Sequence, residues 1–289
     1  MRRVTFTLSL VVLVITTDTI APRCGEKSGP TCHQTPVAFS SNPLTVAEKS
    51  SGWKLLFDGR TIRGWRGFRR QDFPVECWKV EEGVLKRLPI RRRCGDVITE
   101  AQYENFQLHL EWQVGRGGNT GVKYLVSEDR PATWEQAYME HNIQELKQVV
   151  PVDYKLIAGL TPERWRYSAM GFELQLIDDQ GNPDAGKATN RTTGALYDLI
   201  APSQKSLCPV GKFNRACVHV QGNHVEHWVN GIKVVEFERG SKKLEALIAD
   251  SKFKHLAGFA TLSRGHIALQ DHEDEVWFRN IKIRELPSR

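Results

Sequence analysis

The sequence predicts an all-β fold: two antiparallel sheets packed as a β-sandwich or jelly roll, with a short helical insertion. Three observations predict it. From Phe106 to Val114, Phe106, Leu108, Leu110 and Trp112 alternate with Gln107, His109, Glu111 and Gln113, the period of a strand with one buried face. Asn230-Gly231, between Val229 and Ile232, is a two-residue hairpin signal, because both positions of such a turn need positive φ. Short apolar runs broken by turn residues recur along the chain, the rhythm of a sandwich.

The elements follow in order. Arg2 and Arg3 with the apolar run Phe6 to Ile15 and Thr19-Ile20-Ala21 have the form of a signal peptide over 1–21, too short to span a bilayer as a permanent anchor. Residues 22–50 are rich in Ser, Thr, Pro and Gly without periodicity and read as a linker or arm. One folded domain is expected over 51–287. It opens at Trp53 with a strand that Asp58-Gly59 ends, then CWKV, a turn at Glu81-Glu82-Gly83, VLKRL and DVITE. Phe106 to Val114 follows, and GRGGNTG leads into GVKYLV, which reads as its hairpin partner. In FELQLI, Phe172, Leu174 and Leu176 face inward while Glu173 and Gln175 face the other way. Residues 127–170 read as an insertion, because Trp134, Ala137, Tyr138, Ile143 and Leu146 have roughly helical spacing.

Composition narrows the function classes. The net charge of +6 is mild, and basic residues are mixed with acidic ones apart from Arg91-Arg92-Arg93, which reads as a solvated loop. Nothing here asks for nucleic acid or a membrane span. Six cysteines in an exported chain permit three disulfides, and sequence neighbours suggest Cys24–Cys32, Cys77–Cys94 and Cys208–Cys217. Zinc-type CxxC spacing and haem-attachment spacing are both absent.

A strand whose outer face carries Gln and His instead of Lys, Glu and Thr is a candidate ligand surface. His266, Gln270 and His272 share one face of a strand near the C-terminus, whereas Asp271 has the opposite parity and reads as a loop holder. Together GWKLLFDGRTIRGW, TEAQYENFQLHLEWQVGRGGNTGVKY, ELQLIDD, TGALYDLIAP, QGNHVEHWVNG and LQDHEDEVWFRNIKIREL resemble the 3-keto-disaccharide hydrolase domain, over about Trp53 to Leu286. The resemblance implies a concanavalin A-like jelly roll and hydrolysis of glycosides whose sugar carries a ketone at C3. A C3 ketone acidifies the C2 hydrogen, so a base can remove it and expel the C1 oxygen, after which water adds back.

On that resemblance Glu173, His272 and Glu111 are the catalytic candidates, and Asn119, Lys123, Gln175, Tyr197 and Gln270 the substrate-binding ones. A divalent cation, Ca²⁺ or a similar hard ion, is conceivable with Glu173, Asp178 and His272 as ligands, although no dedicated metal loop is present. The family often has Arg where this chain has Leu125, which removes one expected cation. The partners implied are a carbohydrate substrate and a separate sugar 3-dehydrogenase that makes the ketone. A lectin-like binding module and an ordinary two-carboxylate glycoside hydrolase are the alternative readings.

Overall fold

The computed structural model describes residues 43–92, 94–129, 168–256 and 258–288. The expected signal peptide, most of the arm, Cys24, Cys32 and the helix-like stretch at 132–150 lie outside the described residues.

Two α-helices, one short 3-10 helix (Thr189–Arg191) and thirteen strands are described. Helix α1 (Val46–Ser50) precedes β1 (Trp53–Leu55), β2 (Trp65–Gly67), β3 (Trp78–Glu81), β4 (Val84–Arg87) and β5 (Val97–Thr99). The long strands β6 (Phe106–Val114) and β7 (Asn119–Val126) come next, then β8 (Phe172–Ile177), β9 (Asn214–Gln221), β10 (His224–Val229) and β11 (Ile232–Glu238). Helix α2 (Lys242–Ala249) leads to β12 (His266–Leu269) and β13 (Val276–Glu285). One sheet has the order β11-β10-β9-β6-β13-β4-β3, with β1 also paired to β13; the other runs β2-β5-β12-β7-β8. Every ladder is antiparallel.

The core lies between the sheets. Phe106, Leu108, Leu110 and Trp112 of β6, with Val218, Val220, Phe278 and Ile283, pack into one buried cluster with Val122, Tyr124, Phe172, Leu174, Leu176 and Leu269 of the smaller sheet. The alternation expected of β6 is observed, and Asn230 (φ 49°) with Gly231 (φ 81°) makes the tight β10–β11 turn. His227 points into this core and shares a 2.8 Å hydrogen bond with the Tyr124 hydroxyl.

Two expectations need correction. β6 and β7 are not a hairpin: β6 pairs with β9 and β13, β7 with β12 and β8. The Gly115–Gly118 loop carries the chain from one sheet to the other, with Gly117 at φ 69°. β7 is buried along its whole length, so it cannot share the half-solvated sheet face that β6 occupies. The arm does not run to residue 50 as a linker, because α1 closes with a Thr45–Glu48 capping box and Glu48 pairs with Lys282 of β13. Helix α2, N-capped by Ser241, was not anticipated. Cys77 and Cys94 are joined as expected, and Cys208 and Cys217 are both disulfide-bonded.

Candidate functional site

The smaller sheet buries both faces. Its inner face feeds the core; its outer face forms the floor of a cleft of about 890 Å³. Strand parity puts the chemistry there: Lys123 on β7 and Glu173 and Gln175 on β8 alternate with Val122, Tyr124, Leu174 and Leu176, which face the core. Lys123 and Glu173 are register partners, as are Gly121 and Gln175. From the other side of β7, the Gln270 backbone N–H donates to Gly121 O at 3.0 Å and brings Gln270 to the floor.

Glu173 is the one acid on this floor, and it is only 8% exposed. Burial pushes its carboxyl above the ordinary range, against the pull of Lys123, Lys252 and His272, while Asp96 adds to the rise. Lys123 does not pair with Glu173. Its ammonium donates to Asp96 Oδ2 at 2.8 Å and to Ala169 O at 2.9 Å, which leaves one donor for a ligand. Asp96 is fully buried and also accepts the backbone N–H groups of Ala169 (2.8 Å) and Asp271 (2.9 Å).

The walls are fixed by further polar contacts. Gln175 Nε2 donates to Asn119 Oδ1 at 3.2 Å, and Asp274 accepts the Asn119 N–H at 3.0 Å. The Oε1 atoms of Gln175 and Gln270 are buried without a hydrogen-bond partner among the described residues. Such acceptors are uncommon in folded proteins, and water or a sugar hydroxyl reaching them would relieve the cost. His272 stands at the rim with Nδ1 3.6 Å from Asp274 Oδ2. Tyr197 is tied beside Glu173, since its N–H donates to Glu173 O at 3.0 Å. Its hydroxyl donates to Asp184 at 2.8 Å, and Lys252 Nζ lies 4.1 Å from its ring centre. Arg191 bridges Asp184 (3.1 Å) and Asp198 (2.8 Å) beneath it.

The profile of the 3-keto-alpha-glucoside-1,2-lyase-like domain matches residues 52–284, most of the chain. The chain belongs to that family. It is 30% identical over 267 residues to a 3-keto-disaccharide hydrolase of Bacteroides thetaiotaomicron, covering 86% of this chain and 83% of the relative. A solved structure of a candidate glycosyl hydrolase from Parabacteroides distasonis, also 30% identical, superposes with a TM-score of 0.66 over 86% of this chain and all of that one (100%). A second structure from the same organism, at 22% identity and a TM-score of 0.53, covers 81% of this chain and 99% of its own and shares the fold.

Within this lyase-like domain the structure gathers Glu173, His272, Asn119, Lys123, Gln175, Tyr197 and Gln270 around one cleft. Two expected site residues are elsewhere. Glu111 is on the outer face of the larger sheet, held by Arg279 at 2.6 Å, because β6 belongs to that sheet. Asp178 turns back on its own loop: its carboxylate accepts the N–H groups of Gly117 (2.8 Å), Gly181 (3.0 Å) and Gln180 (3.1 Å). Burial raises that carboxyl, and those three donors outweigh it and hold it low. Glu173, Asp178 and His272 therefore do not form a ligand set. Among the described residues, the one trio close enough to share an ion is His224, Glu226 and Glu236 on the larger sheet, where Lys233 already pairs with both carboxylates. Neither Trp65 nor Trp228 lines the cleft. Asp271 holds a loop as expected, accepting Arg87 at 2.7 Å and the N–H groups of Cys94 and Gly95. Sequence reasoning missed Asp96, Asp184, Arg191 and Lys252. Only Asp96 carried a signal, an acid directly before the fully apolar pair Val97-Ile98.

Proposed function

We propose that this protein, a carbohydrate hydrolase by its family, is exported and cleaves glycosides whose sugar carries a ketone at C3. The observation that carries the reading is the pair on the cleft floor: one buried carboxylate, Glu173, beside an ammonium, Lys123, that Asp96 holds without consuming its last donor. Glu173 takes the C2 proton. The electron pair moves into an enolate whose C3 oxygen receives the third Lys123 proton as a hydrogen bond. The enolate collapses, the C1–O bond breaks, and His272 protonates the departing oxygen. Water then adds across C1 and C2: hydroxide joins C1, Glu173 returns its proton to C2, and His272 regains one from the water. The sum is hydrolysis. Elimination followed by hydration accommodates both the lyase-like family description and the hydrolase relative.

The other carboxylates of the cleft support this over a two-carboxylate glycosidase. Asp184 is engaged by Tyr197 and Arg191, Asp271 by Arg87, Asp274 by Asn119 and Glu275 by Lys86, while Glu273 lies in the loop between β12 and β13, which leaves Glu173 as the carboxylate on the sheet floor. The Cys77–Cys94 disulfide fits an oxidising compartment, and no helix of the described residues is long and apolar enough to cross a membrane. A separate sugar 3-dehydrogenase must supply the ketone. The deciding assay incubates the protein with matched 3-keto and unoxidised disaccharides, with and without chelator. Release of sugar from the 3-keto substrate alone is expected. Equal cleavage of both substrates overturns the reading, binding without cleavage favours the lectin-like one, and loss on chelation adds a divalent cation to the cleft.

A further inference from the structure

Gly121 is the only glycine inside β7, and nothing in its backbone calls for one. Its φ is not positive, unlike that of twelve other glycines of the described residues, so its conformation is open to any residue. Glycine weakens a strand interior, where alanine would hold it better. The reason for Gly121 is its missing side chain. A methyl group built there would lie 2.8 Å from both Cγ and Cδ of Glu173 and closer still to Oε1. The Glu173 side chain thus crosses from β8 and rests on the bare backbone of β7, in the gap left between Gln175 and Gln270.

We infer that Gly121 is a positioning residue, whose absent side chain lets the Glu173 carboxylate lie flat on the cleft floor and so fixes its reach. The three atoms nearest to such a methyl all belong to the Glu173 side chain and none to backbone. Gly121→Ala therefore leaves the sheet in place and lifts the carboxylate off it. An ångström of misplacement at a reacting group costs about a hundredfold in rate. The inference rests on the proposed role of Glu173, and the experiment separates the two.

The full chain and its Gly121→Ala, Glu173→Ala and Gly121→Ala/Glu173→Ala variants are assayed on a 3-keto disaccharide, and their melting temperatures are recorded. Gly121→Ala is expected to melt no lower than the parent and to lose about a hundredfold in kcat with KM nearly unchanged. In the Glu173→Ala background, which lacks the Cγ, Cδ and Oε1 atoms that the methyl meets, the same change costs less than about threefold in the residual kcat. Parental kcat in Gly121→Ala, or a further hundredfold loss in the Glu173→Ala background, overturns the inference. Should Gly121→Ala fail to fold, recovery in Gly121→Ala/Glu173→Ala supports it and continued failure overturns it. Full activity in Glu173→Ala removes the catalytic reading alone. Crystal structures of parent and Gly121→Ala then decide, with an unmoved carboxylate counting against the positioning role.

Discussion

Lys123 and Glu173 face each other in register across β7 and β8, yet the Lys123 ammonium lies 2.8 Å from Asp96. Opposite charges on neighbouring strands normally pair. Here the cation is claimed by a second acid, and Glu173 remains a desolvated carboxylate. Its raised proton affinity has a signed consequence for stability. A carboxyl held more tightly protonated when folded contributes stability below its unfolded value and loses it as pH rises through the folded one. Glu173→Gln should therefore raise the melting temperature at neutral pH, with the gain shrinking toward acid, while activity falls roughly 10²–10⁴-fold. Thermal melts across pH beside kinetics check this, and a lower melting temperature at pH 7 would contradict it.

The Lys123–Asp96 pair is buried on both sides. Removing one partner leaves the other charge uncompensated, a cost of about 3–5 kcal/mol. Lys123→Met and Asp96→Asn should each destabilise on that scale, and the double variant by clearly less than their sum. Denaturant unfolding of the cycle measures it. Additive losses would mean that the two side chains act independently.

Much of the fold was legible because it rests on period and turn chemistry. β6, β9 and β10 alternate as their residues suggest, and Asn230-Gly231 fixes a hairpin without outside help. What the sequence could not carry is which sheet a strand joins. Glu111 and Glu173 look alike in one dimension, each an acid on the polar parity of an apolar strand. They differ because the outer face of β6 meets solvent and Arg279, whereas that of β8 is roofed by segments around Met170, Asp184 and Phe253. The β6–β7 hairpin misreading has the same origin, since parity does not reveal that a glycine loop changes sheets. Asp96 was hidden because a buried acid at a strand start looks like a turn residue until its distant partners, Lys123 and the Asp271 backbone, are known.

A second pH effect comes from the core. Complete burial lowers the His227 imidazole from 6.5 to about 4, with its hydrogen bonds to the Gly194 and Ala195 backbone opposing the fall. His109, whose ring is tilted against that of Trp53 with centroids 4.5 Å apart, is likewise lowered to about 3, first by burial and then by Lys282 and Arg284. Between 6.5 and 4 the unfolded chain binds protons that the folded chain refuses, so stability falls as pH drops through that window. For His227 the full loss is roughly 3 kcal/mol at 1.36 kcal/mol per pH unit. His227→Gln should flatten the pH dependence of unfolding there, at the cost of the Tyr124 contact. An unchanged slope between pH 6.5 and 4 would refute the assignment.

The Cys77–Cys94 disulfide closes a loop of sequence separation 17 around β3 and β4. Closing a loop of that length constrains the unfolded chain by about 3 kcal/mol. It also sits beside the site, because the Cys94 N–H donates to Asp271 at 2.7 Å and Asp96 follows two residues later. Reduction, or Cys77→Ala/Cys94→Ala, should therefore lower stability on that scale. It should also loosen the Asp96 clamp on Lys123, so that kcat declines at temperatures where the protein is still folded. Unfolding curves and kinetics with and without reductant test both parts. A stability loss with unaltered kcat would confine the disulfide to the scaffold and leave the clamp to the hydrogen bonds of Asp96 alone.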